Sequence, residues 1–184
     1  MKNHFLLLIV LVGCQTRTDK PDANQNTETP VNESVSKAYV LHKNEGETLI
    51  DGAGRTIVIK ASPETGAAHI SMGMEHHPIG AGTLIHKHDH TEEILFVHQG
   101  NGMAIIDGDT IDVHEGSTMF IPPGTWHGIE NPNDSMTILF MVTPQGLEKL
   151  FRGIGSPPGV PLKKLTSQQL DSIEIAADSK AKKN

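Results

Sequence analysis

Gly80-Ala81-Gly82-Thr83-Leu84-Ile85-His86-Lys87-His88-Asp89-His90-Thr91-Glu92-Glu93-Ile94-Leu95-Phe96-Val97-His98-Gln99-Gly100 places two imidazoles and a carboxylate inside short apolar runs framed by glycine. A β-strand sends residues i and i+2 to one face, so His86 and His88 point the same way. The polar Asp89-His90-Thr91 stretch suits a tight connection, and Glu93 opens a second strand that can return antiparallel beside the first. On this reading one hairpin supplies three donors. A second segment, Gly116 to Asn131, reads as a strand over Ser117 to Ile121, a Pro122-Pro123-Gly124 turn and a new strand opened by Trp126 and His127. His127 becomes a fourth donor on stiff backbone.

Three neutral imidazoles and one carboxylate suit a divalent transition metal. Iron, manganese and nickel lead, and zinc, cobalt and copper are also accommodated, whereas magnesium or calcium would need more carboxylates. Four protein donors leave one or two positions on a five- or six-coordinate ion for water, dioxygen or a chelating small molecule, while tetrahedral zinc would be closed. Glu93 rather than Glu92 is the ligand, because only Glu93 shares the inward alternation of Leu95 and Val97. Glu92 and His90 read as solvated turn residues, and His98 and His114 should face outward. The His76-His77-Pro78 run reads as an exposed polar turn, with substrate contact at a barrel mouth as the alternative. Trp126 is a stacking candidate for substrate, or else a plug in the barrel wall.

The two segments follow Gly80-x5-His86-x-His88-x4-Glu93-x6-Gly100 and Gly116-x5-Pro122-x-Gly124-x2-His127-x3-Asn131, with fifteen residues between them. From this chain's own composition the second alone arises by chance on the order of once in several thousand such chains. The chain resembles the cupin superfamily, in its single-domain, quercetin-dioxygenase-like form, over Tyr39 to Thr143, and matches both patterns without departure. The resemblance implies an all-β, jelly-roll barrel with the metal bound inside by His86, His88, Glu93 and His127. It also implies that Glu93 can act catalytically, leaving the metal to take a proton from a coordinated hydroxyl. Homodimers are common among such proteins, but no edge here is marked for pairing.

Short β-rich runs support the same fold class: Tyr39 to Leu41, Thr56 to Ile59, His69 to Met72, Thr83 to Ile85, Ile94 to Val97, Met103 to Ile106, Ile111 to Val113, Thr118 to Ile121 and Met136 to Val142. Asp51-Gly52, Glu64-Thr65-Gly66, Gln99-Gly100-Asn101-Gly102 and Asp107-Gly108-Asp109 are hairpin chemistry between them. The barrel is expected over residues 38–145 and a helical extension over 146–184. In that extension Leu147, Leu150 and Phe151 share a helix face, and Thr166 should cap a second helix running to about Asp178. The extension is expected on the barrel exterior with a frayed basic end from Ser179, and Arg152 is a minor candidate for substrate binding.

At the other end, residues 1–13 read as a secretory signal. Leu11-Val12-Gly13-Cys14 resembles a bacterial lipobox, which implies cleavage and lipidation at Cys14, the sole cysteine among 184 residues. Residues 14–37 are nearly devoid of apolar side chains and read as a tether. The expectation is a domain anchored by lipid in the bacterial envelope, and Gln15 after the cysteine points to the outer membrane. A formal net charge of −7 without a basic aromatic patch argues against nucleic acid. Two functions fit: an enzyme of dioxygenase type on a small chelating oxygen-bearing substrate, or a non-catalytic module capturing a sugar, metabolite or metal ion. A metal-dependent isomerase or epimerase is not separable by sequence.

Overall fold

A computed structural model describes residues 37–182. The expected signal, the lipidation site Cys14 and nearly all of the tether lie outside the described residues. Two antiparallel sheets form the body. One takes β1 (Glu47–Ile50), β2 (Thr56–Ala61), β3 (Ser71–His77), β10 (Met136–Thr143), β5 (Glu92–Gln99) and β8 (Thr118–Ile121), hydrogen-bonded in that order. The other takes β11 (Lys180–Ala181), β4 (Thr83–Lys87), β9 (His127–Glu130), β6 (Asn101–Ile106) and β7 (Asp109–His114). This is the all-β jelly roll expected from the sequence, with helices α1 (Leu147–Ile154) and α2 (Ser167–Ala176) following the last long strand.

Alternation along the strands builds the core. On β5, Glu93, Leu95 and Val97 are buried while Glu92 and Ile94 are exposed. Ile57, Ile59, Val97, Ile121, Phe140 and Val142 are buried together, each stabilising the fold by roughly 1.5–3 kcal/mol relative to exposure. The Phe140 ring lies so close to β3 that a Cβ at Gly73 would come within 2.7 Å of it, so only glycine fits. Helix α1 adds Leu147 and Phe151 to this core, and Phe151 packs against Phe140 with ring centroids 5.1 Å apart.

Strands β4 and β5 do not form the expected hairpin. Strand β4 pairs with β9 and β11, and β5 with β10 and β8. Both bury one face in the same interior, and facing sheets satisfy that across the sandwich, so residues 88–91 cross from one sheet to the other. The Gln99 to Gly102 turn makes a similar crossing between β5 and β6. There Gly100 has φ +84°, and a side chain would meet the Ser135 carbonyl at 2.1 Å.

Three further expectations need correction. Tyr39 to Leu41 is not a strand; Tyr39 and Val40 are exposed, and β1, unforeseen in the sequence, forms the sheet edge. The residues just beyond Ser179 are paired rather than frayed: β11 lies against β4, with Lys180 opposite Lys87 and Ala181 opposite His86. The extension also does not sit passively outside. Leu147, Leu150, Phe151 and Ile154 of α1 and Leu170 and Glu174 of α2 line the interior cavity.

Candidate metal centre

His86 and His127 stand directly opposite one another on β4 and β9, and His88 follows one residue past the end of β4. Glu93 reaches them from the facing sheet, where β10 and β8 flank it through Val142 and Ile121. One donor atom from each of the four residues lies within 4.8 Å of all the others. The three ring centroids are 4.2 Å, 5.0 Å and 5.4 Å apart in pairs.

The far side of each ring decides what the near side can do. Nδ1 of His86 donates to the Leu84 carbonyl at 2.8 Å, Nδ1 of His88 to the Asp178 carbonyl at 2.7 Å, and Nδ1 of His127 to the Thr125 carbonyl at 3.0 Å. A carbonyl only accepts, so each Nδ1 carries its proton, and the neutral form of each ring would present an Nε2 lone pair. His127 Nε2 lies 2.9 Å and His88 Nε2 3.6 Å from Glu93 Oε2, and His88 Nε2 is buried without a hydrogen-bond partner. Lone pairs and a carboxylate converging in a buried space repel one another unless a cation or proton stands among them. The donor set therefore fits a divalent transition metal.

In the electrostatics of the cluster, protons on the rings offset the Glu93 charge where a cation otherwise would. Burial, together with the neighbouring His127 and His88, pushes His86 down to about 4, so that ring is neutral at pH 7. Burial pushes Glu93 upward, but the His127 and His88 rings, whose Nε2 atoms lie 2.9 Å and 3.6 Å from Oε2, outweigh it and bring the carboxyl down to about 2. Burial pulls His88 down, and its contact with Glu93 more than reverses this, leaving it raised.

Asp178 was not singled out in the sequence. It has φ +49° and holds the ligand loop with its carboxylate as well as its carbonyl: Asp89 N, His90 N and Thr91 Oγ1 all donate to it. The C-terminal extension thus orients one ligand from 90 residues away. Asn131, the last residue of the second motif, is buried and accepts from Gly82 N while donating to the Pro78 and Asp134 carbonyls, tying the loops beside the cluster.

The other sequence-chosen residues separate. Glu92, His90, His98 and His114 are exposed, as expected. His76 is exposed and contacts Thr137 Oγ1 at 3.2 Å, so it does not reach the cavity. His77 is no exposed turn: it ends β3 facing inward, fully buried, and lines the cavity. Strand parity with Ser71, Gly73 and Glu75 was the signal available in the sequence. Trp126 does not line this cavity or plug the wall; it lines a separate outer pocket with Lys87, His90, Asp178 and Lys182. It is half-buried on the outside between Lys87 and Lys182, whose ammonium groups lie 5.6 Å and 6.0 Å from its rings. Arg152 pairs with Glu47 and Glu64 and is likewise remote from the cavity.

Residues 66–143 match the family model described as a cupin domain. Over 54 residues the chain is 44% identical to an uncharacterised protein of Methanocaldococcus jannaschii, covering 29% of this chain and 43% of that one. Over 119 residues it is 25% identical to quercetin 2,3-dioxygenase of Bacillus subtilis, covering 65% of this chain and 35% of that one. The matched stretches therefore span less than half the length of either relative. Among solved structures, the polyketide cyclase RemF from Streptomyces resistomycificus superposes with a TM-score of 0.53 over 73% of this chain and 92% of that one, at 18% identity, a likeness of fold.

Proposed function

We propose, taking residues 66–143 as a cupin domain, that the protein is a metal-dependent enzyme of dioxygenase type acting on a small chelating, oxygen-bearing substrate. The observation that supports it most is the set of three imidazoles, each fixed through Nδ1, that aim Nε2 at one buried point beside an apolar cavity. A bound iron, manganese or nickel ion would supply Lewis acidity, a template for two substrate oxygens and access to dioxygen. The protein's own part is to bind, orient and dry the substrate. Leu95, Ile129, Ile138, Leu150 and Phe151 line a cavity of about 160 Å³ next to His86, Glu93 and His127. A cavity of roughly 150 Å³ lined by similar side chains holds a benzene, so a substrate portion about one ring in size fits inside this one. Glu93, ionised and within reach of the donor point, is placed to take the proton of a substrate hydroxyl.

The test is oxygen uptake by iron-, manganese- and nickel-loaded protein offered one-ring enolones, catechols and linear 1,2-diones. Uptake coupled to ring or chain cleavage is expected with at least one metal. Conversion without oxygen uptake would favour an isomerase, and tight retention without conversion a binding module.

We further infer that the domain is tethered to the bacterial envelope by a lipid on Cys14, from the Leu11-Val12-Gly13-Cys14 sequence and the apolar-poor stretch that follows. Cys14→Ala should move the protein from the membrane to the soluble fraction with metal content unchanged. Continued membrane association would overturn this.

A further inference from the structure

A second polar group lines the same cavity. Arg55, just ahead of β2, reaches Asp51 Oδ2 through Nε at 2.7 Å, and its guanidinium donates to Glu75 Oε2 at 3.2 Å and to Thr83 Oγ1 at 3.1 Å. It thereby joins β3 of one sheet to β4 of the other. Burial works against the Arg55 charge, and Glu75 and Asp51 more than offset it, leaving its pKa raised. Next to this network stands His77. Its Nε2 is 3.2 Å from Glu75 Oε2 but outside hydrogen-bond geometry, its Nδ1 contacts no polar group, and its side chain is 1% exposed.

Such a ring is costly where it is. A buried polar group without a partner costs about 1–3 kcal/mol, and buried histidines normally satisfy both nitrogens. Arg55 is held by protein partners, whereas both ring nitrogens of the cavity residue His77 keep hydrogen-bonding capacity to give.

We propose that His77 is a substrate-binding residue, its ring taking a hydroxyl on the body of a one-ring ligand whose chelating oxygens face His86, His88, Glu93 and His127. This rests on the metal-site reading above. A hydroxyl is the matching group because it can donate to a ring lone pair or accept from a ring N–H. A carboxylate at that position would lie beside the Glu75 carboxylate, which stands 3.2 Å from the His77 ring. Leu95, Ile129 and Ile138 of the same cavity offer an apolar surface for the ligand body.

The probes are three 5-hydroxy-4-pyranones that share one chelating edge and differ at carbon 2: allomaltol with methyl, kojic acid with hydroxymethyl and comenic acid with carboxylate. Each is titrated into the full, cobalt(II)-loaded protein while the visible cobalt bands are followed. Kojic acid should bind about tenfold tighter than allomaltol, the worth of one hydrogen bond, and comenic acid weakest. His77→Phe should bring the kojic-to-allomaltol ratio to about one, with cobalt stoichiometry and allomaltol affinity kept. His77→Gln, whose amide can still bond the hydroxyl, should keep part of the preference. Equal affinities for kojic acid and allomaltol in the wild type, or a ratio that survives His77→Phe, would overturn the inference while the metal reading stands. Failure of the wild type to take up cobalt would overturn the metal reading and this inference with it.

Discussion

His86, His88 and His127 each give Nδ1 to a backbone carbonyl, at 2.8 Å, 2.7 Å and 3.0 Å, whereas His77 on the facing sheet gives neither nitrogen a hydrogen-bond partner. His77, His88 and His127 are buried and His86 is half-buried, so burial does not set His77 apart from the other three. The difference lies in what holds the far nitrogen. A ring anchored through Nδ1 has one tautomer and one direction, which suits a cation needing a lone pair at a fixed point. An unanchored ring keeps both protonation patterns open, which suits an organic ligand that brings its own donor or acceptor.

The largest expected effect separates the two regions by stability. Arg55→Ala strands the buried carboxylates of Asp51 and Glu75, and breaking such a buried pair costs about 3–5 kcal/mol. Urea unfolding should show that loss, while the fraction that remains folded still binds one metal ion. Loss of metal from folded Arg55→Ala would mean that the two regions are one unit. Next, His86→Ala or His127→Ala removes one of four donors. Sharing the roughly 10–16 kcal/mol of a four-ligand zinc site among its ligands gives about 3 kcal/mol, more than a hundredfold in affinity. Competition with a chromophoric chelator would measure it, and affinity within a few-fold of wild type would break the assignment.

A smaller effect tests the anchor itself. Ending the chain after Ala177 removes the Asp178 carbonyl that fixes His88, along with β11. Losing such an outer partner typically costs 10–100-fold in metal affinity, and unchanged affinity would deny the extension that role. The smallest effect belongs to Arg152→Ala. Its partners Glu47 and Glu64 have side chains 43% and 60% exposed, so the thermal midpoint should move by no more than about 1 kcal/mol of stability, with ligand binding unaffected. A larger change in binding would return Arg152 to the site.

The metal cluster and the jelly roll were readable because their signals are local. His86, His88 and Glu93 sit within eight positions, and strand alternation and turn glycines announce the sheets. What stayed hidden is what the chain joins over long separations. Asp178 meets His88 across 90 residues, and Arg55 meets Thr83 across 28. The β4–β5 connection misled for the same reason: a short polar link with inward-facing residues on either side fits a hairpin and a sheet crossing equally well. Partners β9 and β10, supplied from elsewhere in the chain, decide between them. At His77 the sequence leaves an exposed turn and a strand end at the cavity both open, because the neighbours His76 and Pro78 suggest a turn, and its parity on β3 decides for the inside.

The most direct test is an anomalous-difference map from crystals of manganese-loaded protein. One peak is predicted, about 2.0–2.2 Å from Nε2 of His86, His88 and His127 and from a carboxylate oxygen of Glu93. A peak held by other residues, or protein that repeatedly crystallises without a bound ion at this point despite excess metal, would contradict the account.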